Sequence, residues 1–421
     1  MSKRKAVKLR FCEWELNVLP RNGGIIMKKK ALSLALCAAM AASLFVGCGS
    51  NSGSATGGES VDTSGELTWR IGGIGPITGG AAQYGQGVMN AIQLAVDEVN
   101  EAGGINGYNI SFNFQDDEAD QQKSVNAYNT LKDWGMQILE GTVTSGAGQA
   151  VSAETYADRM FMLTPSASST DVTNGHDNVF QVCFSDPNQG KVSADYIKDN
   201  ELATKVGVIY DSSDPYSSGV YQTFAAEAQA IGLEIVATEA FTADSKTDFT
   251  TQLQKCKDAE ADLLFLPFYY TEGSIVLTQA NQMGYAPVMF GVDGFDGLLS
   301  VENFDVKLAE GVYLLTPFAA DADDEATKNF VSKYEEKFGG TPNQFAADAY
   351  DGVYILKKAL ESAGLTPEAS AEEICEALIT EIQNVSYDGL TGEGMTWSAN
   401  GEVSKGPKAV VIQDGAYVSV N

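Results

Sequence analysis

Two stretches of the 421-residue chain concentrate small hydroxyls and glycine directly after short apolar runs: Thr142-Val143-Thr144-Ser145-Gly146-Ala147 and Thr164-Pro165-Ser166-Ala167-Ser168-Ser169. The first opens a helical pattern. A helix start leaves backbone N–H groups without partners and carries partial positive charge, so hydroxyls gathered there suit a carboxylate. The same residue types also serve as ordinary N-caps, and both readings stand at this point. Asp293, in Phe290-Gly291-Val292-Asp293-Gly294-Phe295, follows another apolar run and would pair with an ammonium group. Tyr216, after Asp214-Pro215, and the Tyr269-Tyr270 pair also follow strand-like runs. Aromatic rings there either wall an apolar pocket or fill core and turn positions.

Other chemistries find little support. Gly72-Gly73-Ile74-Gly75-Pro76-Ile77-Thr78-Gly79-Gly80 looks at first like a dinucleotide loop. Gly73, Gly75 and Gly79 are one residue too widely spaced at the last step, however, and Asp116 comes too late to bind a ribose. The simpler reading is a glycine-rich turn presenting Tyr84 at its far end. His176 is the only histidine and is expected in an exposed loop. Without a base near a nucleophile, Ser/His and Cys/His catalysis are disfavoured, and no catalytic residue is assigned. Of the six cysteines, Cys12, Cys37, Cys48, Cys183, Cys256 and Cys375, none are close-spaced, which argues against a metal site or a disulfide framework. No cofactor is indicated.

The elements that must position these residues alternate. Apolar runs at 68–73, 110–114, 137–141, 160–164 and 179–184 are separated by helical periods, and a second series has strands at 205–210, 234–240 and 263–267. Helices are expected at 220–231, 249–257, 325–338 and 344–363, with a closing hairpin at 409–413 and 416–420. Continuous apolar strands joined through helices predict parallel sheets covered on both faces, hence an α/β chain. Its length predicts two domains. In open parallel sheets ligands sit at the carboxyl ends of strands, where the loops above fall. No internal repeat of 20 to 50 residues is detectable.

The N-terminal region is different. Met27-Lys28-Lys29-Lys30 and the apolar run 31–46 have the layout of a secretory signal peptide, too short for a membrane span. Leu44-Phe45-Val46-Gly47-Cys48 resembles a lipobox, which would make Cys48 the lipidated mature N-terminus; Phe45 departs from the usual Leu. Residues 1–26 do not fit in front of such a signal, and translation is expected to start at Met27. Residues 48–66 read as a flexible tether. Residues 1–47 hold 9 of the 27 basic and 2 of the 56 acidic residues, leaving a body of 18 basic against 54 acidic. That surface repels nucleic acid and anionic lipid, so no nucleic-acid partner is expected.

Taken together the body resembles the leucine/isoleucine/valine-binding protein family of ABC importers. The marks are Gly75-Pro76-Ile77-Thr78-Gly79 with Ala82-Gln83-Tyr84-Gly85, Ala102-Gly103-Gly104-Ile105-Asn106-Gly107, Asp248-Phe249, Gln279-Ala280 before Gly284, and Tyr350-Asp351. The resemblance implies a type I periplasmic binding fold: two doubly wound lobes with central parallel sheets, residues 67–186 plus 318–396 and residues 187–317 plus 397–421. Three hinge crossings near Asp186, Pro317 and Trp397 would join them. It implies a small amino acid, branched-chain or related, bound between the lobes. The Ser145 and Ser168 hydroxyls and the Ser166 backbone would hold its α-carboxylate and Asp293 its α-ammonium. Tyr84, Thr144, Tyr216, Tyr269 and Phe345 would line the side-chain pocket. It further implies a monomer held at the outer face of the cell membrane through the lipid on Cys48, delivering its ligand to a permease and ATPase complex.

Some positions depart from that pattern. Ala119 and Thr144 stand where some members have a disulfide, and Asp293 stands where those members have Glu. Asp348, near Phe345, either adds a charge to the pocket or sits exposed on its helix. The alternatives are a ligand-sensing module of a receptor, or a different ligand such as an amide or aromatic compound.

Overall fold

The computed structural model describes residues 67–406 and 408–420. The expected leader, Cys48 and the tether lie outside them. Five strands, β1 (Trp69–Gly75), β2 (Ile110–Asp116), β3 (Ile138–Glu140), β4 (Phe161–Thr164) and β5 (Val179–Gln181), form one sheet in the order β2-β1-β3-β4-β5. All its pairings are parallel. Every residue of β3, β4 and β5 is buried, as covered faces on both sides require. Helices α1 (Ala82–Glu101), α2 (Gln121–Trp134), α3 (Ser145–Asp158) and the short α4 (Thr170–Thr173) connect the strands.

The chain then crosses to a second lobe at α5 (Asp186–Asp199). There β6 (Lys205–Asp211), β7 (Glu234–Phe241), β8 (Leu263–Leu266), β9 (Val288–Gly291) and β10 (Tyr313–Thr316) alternate with α6 (Pro215–Ile231), α7 (Thr250–Asp258) and α8 (Tyr270–Gln282). The parallel order β7-β6-β8-β9-β10 repeats that of the first sheet, although the sequence shows no repeat. The expected C-terminal hairpin, β11 (Lys408–Gln413) and β12 (Ala416–Val420), adds antiparallel strands beyond β10. Between these strands and β10 the chain revisits the first lobe as α9 (Glu325–Phe338), α10 (Gln344–Ala363) and α11 (Ala371–Ile382), with α10 packed along α1 and α11 against β4. The fold is α/β with two doubly wound lobes. The sequence reading passed over α5, α8, α11 and β10, whose apolar positions are interrupted or brief.

Three connections join the lobes: β5 to α5, β10 to α9, and the segment leading into β11. The last crosses later than the position near Trp397. The Trp397 indole N–H donates to the Gln181 carbonyl at 2.8 Å, and the Gly401 carbonyl accepts from the Gln181 N–H at 2.9 Å, so this stretch still extends the first lobe. Gly401 has φ +83°, and a Cβ there would lie 2.2 Å from the Val179 carbonyl oxygen. Just beyond it, Lys405 bonds the Val182 carbonyl at 2.7 Å and forms a buried ion pair with Asp348 of α10.

Asp348 is therefore neither an exposed helix residue nor a free charge in a pocket. It is 1% exposed, burial raises its carboxyl to about 6, and Lys405 opposes that rise. Removing one partner of a buried pair leaves the other charge uncompensated. Lys405→Met is expected to lower stability by about 3 kcal/mol in urea denaturation. Asp348 can be neutralised by a proton, so the loss should be smaller at pH 5 than at pH 8. An equal loss at both would show that the pairing is not its cause.

Candidate binding site between the lobes

In both sheets the order reverses beside the first strand, at β1/β3 and at β6/β8, which opens a crevice at the carboxyl ends of the strands. The loop after β1 is held by Asp116 at the end of β2, which accepts from the Ile77 N–H at 3.0 Å and the Thr78 hydroxyl at 2.6 Å. Gly85 lies directly against this loop, where a Cβ would meet the Pro76 carbonyl oxygen at 2.0 Å. That close approach fixes Tyr84 at the mouth of the crevice.

Thr144 is the N-cap of α3, but its side chain makes no capping hydrogen bond, and its buried hydroxyl has no partner. The first intrahelical bond runs from the Gly148 N–H to the Thr144 carbonyl. The helix thus begins with neither a side-chain cap nor an acidic residue in its first turn. The Ser145 hydroxyl accepts from the Ser169 N–H at 3.1 Å, which leaves its own proton to donate. Thr164 shapes the neighbouring loop by accepting from the Ala167 N–H at 2.9 Å and the Ser166 N–H at 3.3 Å. With its N–H turned to Thr164, Ser166 retains its carbonyl, which suits an ammonium better than a carboxylate.

The opposite lobe supplies Asp293, 3% exposed. Its carboxylate accepts from the Tyr216 hydroxyl at 2.6 Å and from the Gln189 amide at 2.8 Å. Burial raises this carboxyl to about 7 despite those two donors. Gln189, on the first turns of α5, is a residue the sequence reading missed. Ser185-Asp186-Pro187 ahead of it is a helix-start signal that would have placed it.

Tyr84, Val143, Thr144, Ser145, Ser166, Ser168 and Phe345 of the first lobe meet Tyr216, Tyr269, Asp293 and Gly294 of the second around one cavity. The nine positions singled out from the sequence are all among them. The free space is small, about 20 Å³. Tyr84 packs edge-on against Tyr269, Tyr270 and Phe345, while Tyr216 stacks on Tyr269 at 5.5 Å. Burial holds the Tyr84, Tyr216 and Tyr269 hydroxyls well above their ordinary range, so they act as neutral donors. A larger space of about 430 Å³, between Asp296, Phe318, Val331, Glu335 and Tyr417, contains none of these eleven residues.

The lobes touch across the crevice. The Tyr84 hydroxyl donates to the Gly294 carbonyl at 2.5 Å and accepts from the Tyr270 N–H at 3.3 Å. Thr271 donates to the Gly80 carbonyl at 2.6 Å, and the Gln344 N–H to Asp296 at 2.8 Å. His176 lies well away from this site; it is half-buried rather than exposed, with its ring against Tyr156. Cys183, Cys256 and Cys375 are buried free thiols. A net hydrogen bond is worth about 1 kcal/mol, so Tyr84→Phe should shift an open–closed equilibrium roughly fivefold toward open. Small-angle scattering of the unliganded protein would show this as a larger radius of gyration; an unchanged radius would mean that Tyr84 does not hold the lobes together.

Residues 68–416 match the periplasmic binding protein family model. A Leu/Ile/Val-binding protein homologue from Brucella melitensis is 31% identical over 304 residues, covering 72% of this chain and 81% of its own. A leucine-, isoleucine-, valine-, threonine- and alanine-binding protein from Pseudomonas aeruginosa is 28% identical, covering 74% and 82%. The branched-chain amino-acid transporter substrate-binding protein LivJ of Streptococcus pneumoniae, solved with isoleucine, superposes with a TM-score of 0.75 at 29% identity over 84% of this chain and all of that one. A crevice with hydroxyl donors on one side and a carboxylate on the other agrees with these relatives, and the chain belongs to the leucine/isoleucine/valine-binding family of periplasmic binding proteins, substrate-binding proteins of ABC transporters.

Proposed function

We propose that this protein is the lipid-anchored, extracytoplasmic binding component of an ABC importer and that it captures a small aliphatic α-amino acid. The observation that carries this reading is the opposition across one small cavity of the uncapped start of α3 and the buried carboxylate of Asp293. The α-carboxylate would lie against the first-turn N–H groups of α3 and the Ser145 and Ser168 hydroxyls, where helix charge favours an anion. The α-ammonium would face Asp293 and the Ser166 carbonyl.

Tyr84, Tyr216, Tyr269 and Phe345 surround the remaining space with rings. Lys405 pairs with Asp348, so that acid does not favour a cationic side chain. Little free space remains around these rings, which supports an aliphatic side chain over a large aromatic one. The relatives named for leucine, isoleucine, valine, threonine and alanine support the same class. Closure around the ligand would exclude water and strengthen each charged contact.

A thermal-shift panel of the twenty amino acids on residues 66–421, followed by calorimetry, tests the reading. Aliphatic members should give the largest shifts, and a panel without a response would reject it. Asp293→Ala should weaken the best ligand by about 100-fold, since it removes a charged partner from a buried ammonium. The proton and the ammonium compete for Asp293, whose carboxyl lies at about 7 in the empty site. Affinity should therefore be level above that pH and fall below it, by up to about tenfold per pH unit. Asp186, Asp348, Tyr84, Tyr216 and Tyr269 share this environment, and the drop should become shallower in Asp293→Ala. For the anchor, Cys48→Ala should move the protein from the membrane fraction to the soluble fraction; unchanged fractionation would reject lipidation at that residue.

A further inference from the structure

Asp186 begins α5 at the first crossing between the lobes and is 1% exposed. Neither of its carboxylate oxygens has a hydrogen-bond partner. Its N–H donates to the Ser168 carbonyl at 3.0 Å, which sets it directly behind a residue that lines the cavity. The Ser168 hydroxyl acts on the carboxyl as a donor short of full hydrogen-bond geometry, while burial and the neighbouring acids hold that carboxyl well above its ordinary range. On the other side Gly219 of α6 makes room for it, since a Cβ there would stand 2.8 Å from Oδ2. The charged groups that act on it, Asp293, Asp214 and Asp171, are all acidic. Asp293, by contrast, already has donors on both oxygens.

An acid at a helix start has a structural explanation when it accepts the free N–H groups of the first turn. Asp186 accepts none of them. A buried carboxylate without donor or counter-charge is costly, and natural structures seldom retain one without a use for it. What this corner lacks is a cation, and the proposed ligand brings one.

Resting on the proposed amino-acid function, we propose that Asp186 is a second carboxylate of the binding site, pairing with the ligand's ammonium together with Asp293 when the cleft is loaded. The ammonium then lies between an acid from the hinge and an acid from the second lobe, with the Ser168 hydroxyl alongside. Asp293 shares the positive charge with Asp186. The substrate class follows: a ligand must carry a cationic nitrogen, and the same carbon skeleton with hydrogen in its place binds poorly.

The test compares calorimetric affinities for the best amino acid from the panel and for its des-amino carboxylic acid, in wild type, Asp186→Asn and Gly219→Ala. Asp186→Asn should weaken the amino acid by roughly 30-fold or more while leaving the des-amino acid unchanged or tighter. Gly219→Ala keeps the acid but crowds its carboxylate, and it should weaken the amino acid selectively as well. The melting temperature of unliganded Asp186→Asn should equal or exceed that of wild type, because an amide replaces an uncompensated acid. Equal losses for both ligands, or none for either, would overturn the assignment and leave the amino-acid function standing. A wild-type protein that binds no amino acid would instead refute the function itself.

Discussion

A helix start without a cap and a buried carboxylate without a cation face each other across the crevice, and the rest of the molecule is arranged to keep them so. Each is unfavourable alone: orphan N–H groups seek an acceptor, and a buried acid seeks a donor or a positive charge. Thr144 would ordinarily cap α3 with its hydroxyl, yet that hydroxyl is turned aside, and Ser145 accepts from Ser169 while keeping its proton free. The opposing lobe holds Asp293 in place with Tyr216 and Gln189, neutral donors that orient the carboxylate without cancelling its charge. A molecule with an anion and a cation one carbon apart would complete both halves at once, as the proposed function has it.

Geometry of this kind needs two rigid bodies and a defined axis. Both sheets reverse their order beside their first strand, so both present loops at the same kind of edge, and the crossings bring those edges face to face. The aromatic set from Tyr84 to Phe345 then closes the apolar end, with Tyr84 reaching across to the Gly294 carbonyl. The buried Lys405–Asp348 pair fastens the third connection to the first lobe beside the hinge. Neither residue lines the cavity.

Much of the fold was legible because fully buried parallel strands leave unbroken apolar runs, as at Phe161–Thr164 and Leu263–Leu266. Elements with weaker periodicity were not. The helix Tyr270–Gln282 contains several β-branched residues and Gly273, which packs against the Phe295 ring. The shared strand order of the two lobes left no repeat in the residues, since topology constrains only which positions are apolar and not their identity.

The sequence by itself determined the site's chemical vocabulary: hydroxyls after two strands, an acid after another, tyrosines after two more. Those types are legible because loop chemistry is local and strand ends are marked by the apolar runs before them. Only the tertiary structure decided which charges remain uncompensated. Asp348 and Asp186 look alike as acids in polar surroundings, yet one finds Lys405, 57 residues later in the chain, and the other finds only a glycine and a serine. Pairing of that kind depends on distances between segments remote in sequence, and burial then decides whether the charge matters.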